Sequence, residues 1–243
     1  MDLGIKGKVA LVTASSKGLG YASARALAED GARVVVCARG EEDLAKAASA
    51  LGQLTDVHAV VADVTDAETP RRVVAETLDR FGGLDILVAN NGGPPPGRAL
   101  DVDDAGLDAA LEANLKASIR LVREAVPHMR TAGWGRICLI TSVSVKQPIP
   151  NLALSNTART ALWAWAKTAA TDLFRDGITL NLACPGSHAT DRIKQLAGTN
   201  VASGSMGDPA DFGRVVAFLC SAHAAFVTGT AINVDGGAVL GLL

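Results

Sequence analysis

Apolar and polar positions along this chain switch between two rhythms. Seven short, mostly apolar runs have the length of strands: 9–13, 33–38, 57–62, 84–89, 136–141, 178–183 and 231–234. Between most of them apolar residues recur at helical spacing, over about 18–30, 41–52, 68–81, 101–130, 155–175 and 209–221. Continuously apolar strands belong in a sheet buried on both faces. Strand and helix alternating from end to end predict an α/β fold. It is a Rossmann-type, doubly wound parallel sheet with helices on both faces and right-handed crossovers. No break in composition, linker or repeat divides the chain, so residues 1–243 are expected to form a single domain.

Two connections depart from the rhythm. Gly92-Gly-Pro-Pro-Pro-Gly97 is stiff and extended after the fourth strand. Residues 186–207 are rich in Ser, Gly, Ala and Thr and long for a loop, which predicts a lid, with a plain surface loop as the alternative. Both follow the carboxyl ends of strands, where such sheets bind ligands.

The first strand runs into Thr13-Ala-Ser-Ser-Lys-Gly-Leu-Gly20 and then an alanine-rich helix. A strand, a tight glycine turn and a helix aim unpaired N–H groups and a positive dipole end at one spot, which suits a pyrophosphate. Gly18 and Gly20 let the backbone approach a ligand or adopt positive φ. An ordinary compact turn would read the same way, because short glycine patterns recur by chance. The second strand ends in Cys37-Ala38-Arg39, at the position that meets an adenosine ribose in nucleotide-binding units. A cation there accommodates a 2′-phosphate, and Lys17 adds a second charge nearby, so NADP(H) is favoured and NAD(H) remains open. The alternative is two solvated cations, and Glu41 and Glu42 stand ready to pair with Arg39. Asp63-Val64 closes the third strand, where the carboxylate either meets an adenine amino group or caps a turn.

Composition removes several classes of function. Of 243 residues, 49% are hydrophobic, and the net charge of −2 leaves no footprint for nucleic acid or an anionic membrane. No run reaches the roughly 18 apolar residues of a membrane span, and the N-terminus lacks the apolar region of a signal peptide. Cys37, Cys138, Cys184 and Cys220 are far apart and mostly in apolar runs, as buried free thiols in a reducing cytoplasm would be.

With these pieces in order, the chain resembles the short-chain dehydrogenases/reductases, close to the 3-oxoacyl-carrier-protein reductase type, along nearly its whole length. The resemblance is carried by residues 13–20, Asp63-Val64, Asp85-Ile-Leu-Val-Ala-Asn-Asn-Gly92, Asn114, Ser142, Pro185-Gly186 with Thr190, and Thr228-Gly-Thr-Ala-Ile-Asn-Val-Asp-Gly-Gly237. It implies seven strands in the order 3-2-1-4-5-6-7, a nicotinamide cofactor, a small carbonyl or alcohol substrate and a homo-oligomer, usually a tetramer, with a dimer as the alternative. It also implies cofactor contacts from Thr13, Ser15, Ser16, Lys17, Gly18, Leu19, Gly20, Arg39, Asp63, Val64, Asn90, Arg159, Pro185, Gly186 and Thr190. The implied catalytic positions are Asn114, Ser142, Ser155 and Arg159.

The departures from the family pattern decide the chemistry. Ala14 stands where the family has glycine. The family's catalytic Tyr-x-x-x-Lys falls on Ser155 and Arg159, and the only tyrosine, Tyr21, lies in the first helix. A serine hydroxyl is a far weaker acid than a phenol, and it is shorter by a ring. Arg159, at i+4 from Ser155, binds but cannot relay a proton. Lys146 and His188 are candidate substitutes, the histidine because it titrates near neutrality. Lys167 lies too far along its helix. Trp163 and Trp165 are expected to pack a core or a subunit contact. Asn114 either holds a water, as in the family, or faces solvent. Ser142 either meets a substrate oxygen or closes a turn. In the region 186–207, His188, Arg192 and Lys194 offer charge toward a substrate. Two functions therefore stand: an oxidoreductase with an atypical proton donor, and a nucleotide-binding sensor or scaffold without turnover. A structural subunit is a third, for which the apolar stretch 238–243 would suit subunit burial.

Overall fold

The computed structural model of the chain describes residues 1–196 and 206–242. Seven strands pair in parallel in the order 3-2-1-4-5-6-7. They are β1 (Val9–Thr13), β2 (Arg33–Ala38), β3 (Val57–Val61), β4 (Ile86–Ala89), β5 (Gly135–Ile140), β6 (Ile178–Pro185) and β7 (Ala231–Val234). The helices are α1 (Gly18–Glu29), α2 (Glu41–Leu51), α3 (Thr69–Phe81), α4 (Asp104–Leu111), α5 (Ala117–Ala132), α6 (Ala153–Phe174), α7 (Asp191–Leu196) and α8 (Pro209–Leu219).

Successive strand residues point to opposite faces, and β1 shows how both are filled. Leu11 joins a core with Val73 of α3, Leu121 of α5 and Leu162 of α6. Ala10 and Val12 join another with Leu27 of α1, Leu44 of α2 and Phe212 of α8. Burying each such Leu or Phe contributes about 1.5–3 kcal/mol, so a polar strand residue would be costly on either side. Trp163 and Trp165 pack against the first core. All four cysteines are free and buried, and no helix among the described residues is long and apolar enough to cross a membrane.

The structure departs from the sequence expectation in three places that matter. β4 starts at Ile86 because the Asp85 carboxylate turns to accept from Lys8 Nζ (2.9 Å) and Val9 N (2.8 Å). The helix expected over 101–130 is not continuous. Asp103 caps α4 by accepting from Gly106 N, a π turn follows at Glu112–Lys116, and only then does α5 begin. Asn114 sits in that π turn with its amide donating to Ala110 O at 3.4 Å, a side chain competing with the backbone ladder. Finally, the region read as a loop over 186–207 opens with α7. Its residues 197–205 lie outside the described residues.

Candidate active site

The glycine turn is built for close approach. A β-carbon at Gly20 would lie 2.3 Å from Ala14 O and 2.8 Å from Asn90 Nδ2, so no side chain fits there. Gly18 has φ +61. Ala14 itself sits at φ +45, a left-handed conformation that costs an alanine about 1–2 kcal/mol. The penalty is met by its neighbours. Asn90 Nδ2 donates to Ala14 O (3.2 Å), while Asn90 N donates to Thr13 Oγ1 and that hydroxyl donates to Asn90 O, which ties the turn to the end of β4. Ser15 ties it to β2, because Ser15 N donates to Cys37 O, Cys37 N donates to Ser15 Oγ and that hydroxyl donates to Val12 O. Thr13 and Ser15 are fully buried and their hydroxyls are spent on these bonds. They lie behind the wall of the site and hold its shape. Among the described residues, Ser16, Gly20, Asp63, Val64 and Asn114 are also absent from the lining of the main cavity, which Ala14, Lys17, Gly18 and Leu19 do line. No side chain caps the N-terminus of α1, so its first N–H groups are left for a ligand.

That cavity, about 740 Å³, runs along the carboxyl ends of the strands. One end carries Lys17 and Arg39. Their ion pairs are loose: Lys17 lies 3.8 Å from Asp43, and Arg39 lies 3.6 Å from Asp63 with 77% of its side chain exposed. Arg39 therefore pairs with Asp63 rather than with Glu41 or Glu42. Asp63 also caps its own turn, accepting from Thr65 N (3.0 Å) and Thr65 Oγ1 (2.8 Å). Burial pushes its carboxyl up, but these bonds and the Arg39 charge outweigh that and leave it below its ordinary value.

The lining also gathers Ser142, Ser155, Arg159, Pro185, Gly186, His188 and Arg192, with Thr190 set over Gly18 of the turn. Ser142 follows β5 and accepts from Ser144 N (3.1 Å), closing a short turn while still lining the cavity. Ser155, in the first turn of α6, is 8% exposed, and its hydroxyl makes no hydrogen bond among the described residues. Arg159 is likewise 8% exposed, and its Nη1 donates to Ile140 O (3.1 Å) and Thr141 O (3.0 Å). Burial, helped by the like charge of Arg192, lowers its pKa to about 10, so it stays protonated near neutrality. Asn114 is 2% exposed, which overturns a solvent-facing position, and its Oδ1 has no partner among the described residues.

Of the substitutes for the missing phenol, Lys146 does not line the cavity. His188 lines it but is 4% exposed, held edge-on to Phe212 at 5.2 Å between ring centroids, with Nδ1 3.2 Å from Gly186 O. Lys167 donates to Gly229 O (2.8 Å), away from the site. Lys194 lies among the residues whose side chains are not described. Three contributors escaped the sequence reading. Gly92-Gly93 and Pro148-Ile149-Pro150 line the cavity, and the extended segment after β4 is anchored where Gly97 N donates to Asn151 O (2.7 Å). The stretch 238–243, read from sequence as subunit burial, sends Ala238 and Val239 into the cavity lining, and Leu240 N donates to Gln147 Oε1 (3.1 Å). Only the Asp235-Gly-Gly237 turn signalled this, since Asp235 accepts from Gly237 N and Val239 N and aims the tail inward.

Comparison with known proteins gives a consistent answer. A family model described as enoyl-(acyl carrier protein) reductase matches residues 13–239. The chain is 35% identical to the pig dehydrogenase/reductase SDR family member 4, over 96% of this chain and 88% of that protein. It is 36% identical to the human protein of the same name, over 95% and 87%. Among solved structures it is similar to L-sorbose reductase from Gluconobacter frateurii in complex with NADPH and L-sorbose, with a TM-score of 0.93, 33% identity and all of both chains covered. A putative gluconate dehydrogenase from Agrobacterium tumefaciens gives a TM-score of 0.92 at 27% identity, over 99% and 100% of the two chains.

Proposed function

The chain belongs to the short-chain dehydrogenase/reductase family, and from that premise we propose that it is an NADP(H)-dependent oxidoreductase acting on a small carbonyl compound or the matching alcohol. The observation that carries the reading is a single cavity joining two loosely paired cations, an uncapped helix N-terminus and a serine-lined far end. The complex of L-sorbose reductase with NADPH supports the choice of nucleotide. When bound, the nicotinamide supplies or accepts a hydride. Backbone N–H groups from Lys17 to Leu19 hold the pyrophosphate, Lys17 and Arg39 hold a 2′-phosphate, and Asn90 supports the turn beneath them. Pro185 and Gly186 flank the site, and Thr190 stands over Gly18 beside the pyrophosphate position. Asp63 and Val64 sit by the adenine side, and Thr13, Ser15, Ser16 and Gly20 shape the cradle.

Ser142 donates a hydrogen bond to the substrate oxygen. Arg159 keeps a fixed positive charge nearby, which favours negative charge developing on that oxygen. It does not give up a proton, because even its lowered pKa of about 10 lies well above neutrality. Ser155 leaves its hydroxyl set back from the site, so the proton that completes the alcohol comes from water ordered beside it. Asn114, with its unpartnered Oδ1, is a buried acceptor for such a water. Exposed Phe226 and Leu240 support assembly into a homo-oligomer.

One observation favours a second reading, a nucleotide-binding protein without turnover: Arg159 is tied to two backbone carbonyls instead of being free to relay. Fluorescence titration with NADPH, followed by a carbonyl panel read as loss of absorbance of the reduced cofactor, separates the two. Binding with turnover supports the oxidoreductase. Binding without turnover across the panel supports the sensor, and no binding of either nicotinamide dinucleotide refutes both.

A further inference from the structure

The far end of the cavity holds more positive charge than an uncharged carbonyl compound uses. Arg159 enters from α6 and Arg192 from α7, and both line the same space. Neither has a carboxylate partner among the described residues; Arg159 Nη1 donates to Ile140 O and Thr141 O, and Arg192 Nη2 donates to Pro94 O (2.7 Å). The one carboxylate in the lining, Asp191, has interactions of its own. Burial lowers the proton affinity of both guanidinium groups, and the Arg192 charge lowers that of Arg159 further. A buried guanidinium facing a half-buried one of like charge across one space costs free energy unless an anion lies between them.

Resting on the oxidoreductase reading above, we infer that the substrate is an oxo acid, or the corresponding hydroxy acid, whose carboxylate is held by Arg159 and Arg192 beside Ser142. A guanidinium presents paired donors that match the two oxygens of a carboxylate. Arg159 has N–H groups left beyond Nη1, and Arg192 has those beyond Nη2. Arg192 donates to Pro94 O, in the stiff segment after β4, and that bond braces its position. A β-carbon at Gly93 would come within 2.9 Å of Arg192 Nη2, so glycine makes room for the arginine there. Reduction would then move a hydride, supplied by the reduced nicotinamide when bound, to the carbonyl carbon and a proton from water to its oxygen; the hydroxide left is neutralised by a solvent proton, and the carboxylate is unchanged.

The test uses matched probes: pyruvate and acetoacetate against their amides, which keep the carbonyl and lose the charge. Calorimetry measures binding of each to the protein with and without NADPH, and absorbance follows turnover. The acids are expected to bind and turn over at least about tenfold better than the amides. Arg192→Gln should remove most of that preference, chiefly through KM, while NADPH affinity stays within about twofold. Arg192→Lys should restore part of it, since charge returns without the paired donors. Equal binding of acid and amide overturns the inference, as does an unchanged preference in Arg192→Gln, or failure of both acids to bind with or without NADPH. Failure of NADPH to bind while the acids do bind would refute the cofactor reading and leave the carboxylate site standing.

Discussion

Replacing Arg39 with alanine isolates the feature that distinguishes NADPH from NADH. A 2′-phosphate carries about −1.5 to −2 charges near neutrality. Two unit charges 4 Å apart attract by about 1 kcal/mol in bulk water and about 4 kcal/mol near a protein surface with reduced screening. Arg39 is 77% exposed, which places it near the water limit. Its ion pair with Asp63, 3.6 Å long, must also be loosened to receive the phosphate, and such pairs are worth about 0–1 kcal/mol. The net contribution is then about 0.5–2 kcal/mol, or about two- to thirtyfold in Kd. Arg39→Ala should weaken NADPH by that factor and leave NADH within about twofold, and the gap should shrink at high salt, where exposed charges are screened. Fluorescence titration of both nucleotides, at low and high salt, reads all three. Equal losses for NADPH and NADH would refute the assignment, as would a salt-independent gap.

Other variants test the remaining steps. Ala14→Gly releases a left-handed alanine; about 1–2 kcal/mol of strain is partly offset by the added freedom of the unfolded chain, so the melting temperature should rise by about 1–4 °C, and an unchanged value would contradict the strain. Gly20→Ala puts a β-carbon 2.3 Å from Ala14 O and should lower the melting temperature and abolish nucleotide binding, whereas intact binding would show that the turn yields. Ser155→Tyr with Arg159→Lys restores a phenol with a cation beside it, and carbonyl reduction should rise by at least about tenfold; an equal or lower rate would remove Ser155 from the proton-donor position. Burial raises the Cys37 thiol to about 12 and the Cys184 thiol to about 11, so both remain protonated at pH 8, and a thiol reagent should label neither until the protein unfolds; rapid labelling of the native protein would contradict their burial.

Strands were legible in the sequence because both faces of the sheet are buried, which leaves the apolar runs uninterrupted. The ends of β1, β2 and β7 agree with the pattern because each is bounded by polar or turn residues. β4 was read two residues long because the pattern does not show Asp85 turning its carboxylate to Lys8 and Val9 N. The break at Glu112–Lys116 was hidden for a different reason. A π turn adds a residue to a helix while the apolar positions around Leu111 and Leu115 still fit helical spacing, so periodicity passes over it. At the site, the turn of residues 13–20 could be placed from its glycines, but not the division of labour within it. Thr13 and Ser15 face inward because their hydroxyls complete bonds to neighbouring strands, which only the sheet register reveals. Contacts between segments far apart in sequence, Arg192 to Pro94 and Leu240 to Gln147, leave no local trace.

The exchange of a lysine for Arg159 changes the site in kind. A lysine side chain has a flexible stem and a single ammonium that loses its proton when desolvation pulls it down, so it is able to take part in proton traffic. Arg159 is instead fixed at two points to the end of β5, through Ile140 O and Thr141 O, next to the turn that presents Ser142. Removing the guanidinium would leave two carbonyls without their donor as well as deleting a charge, so Arg159→Met should harm both stability and turnover. Arg159→Lys alone should spare stability more than it spares anion binding, because one ammonium still reaches a carbonyl but no longer presents paired donors. The charge beside the reacting oxygen is therefore permanent and stationary. A site of that kind stabilises negative charge without supplying a proton, and it leaves proton delivery to water held near Ser155.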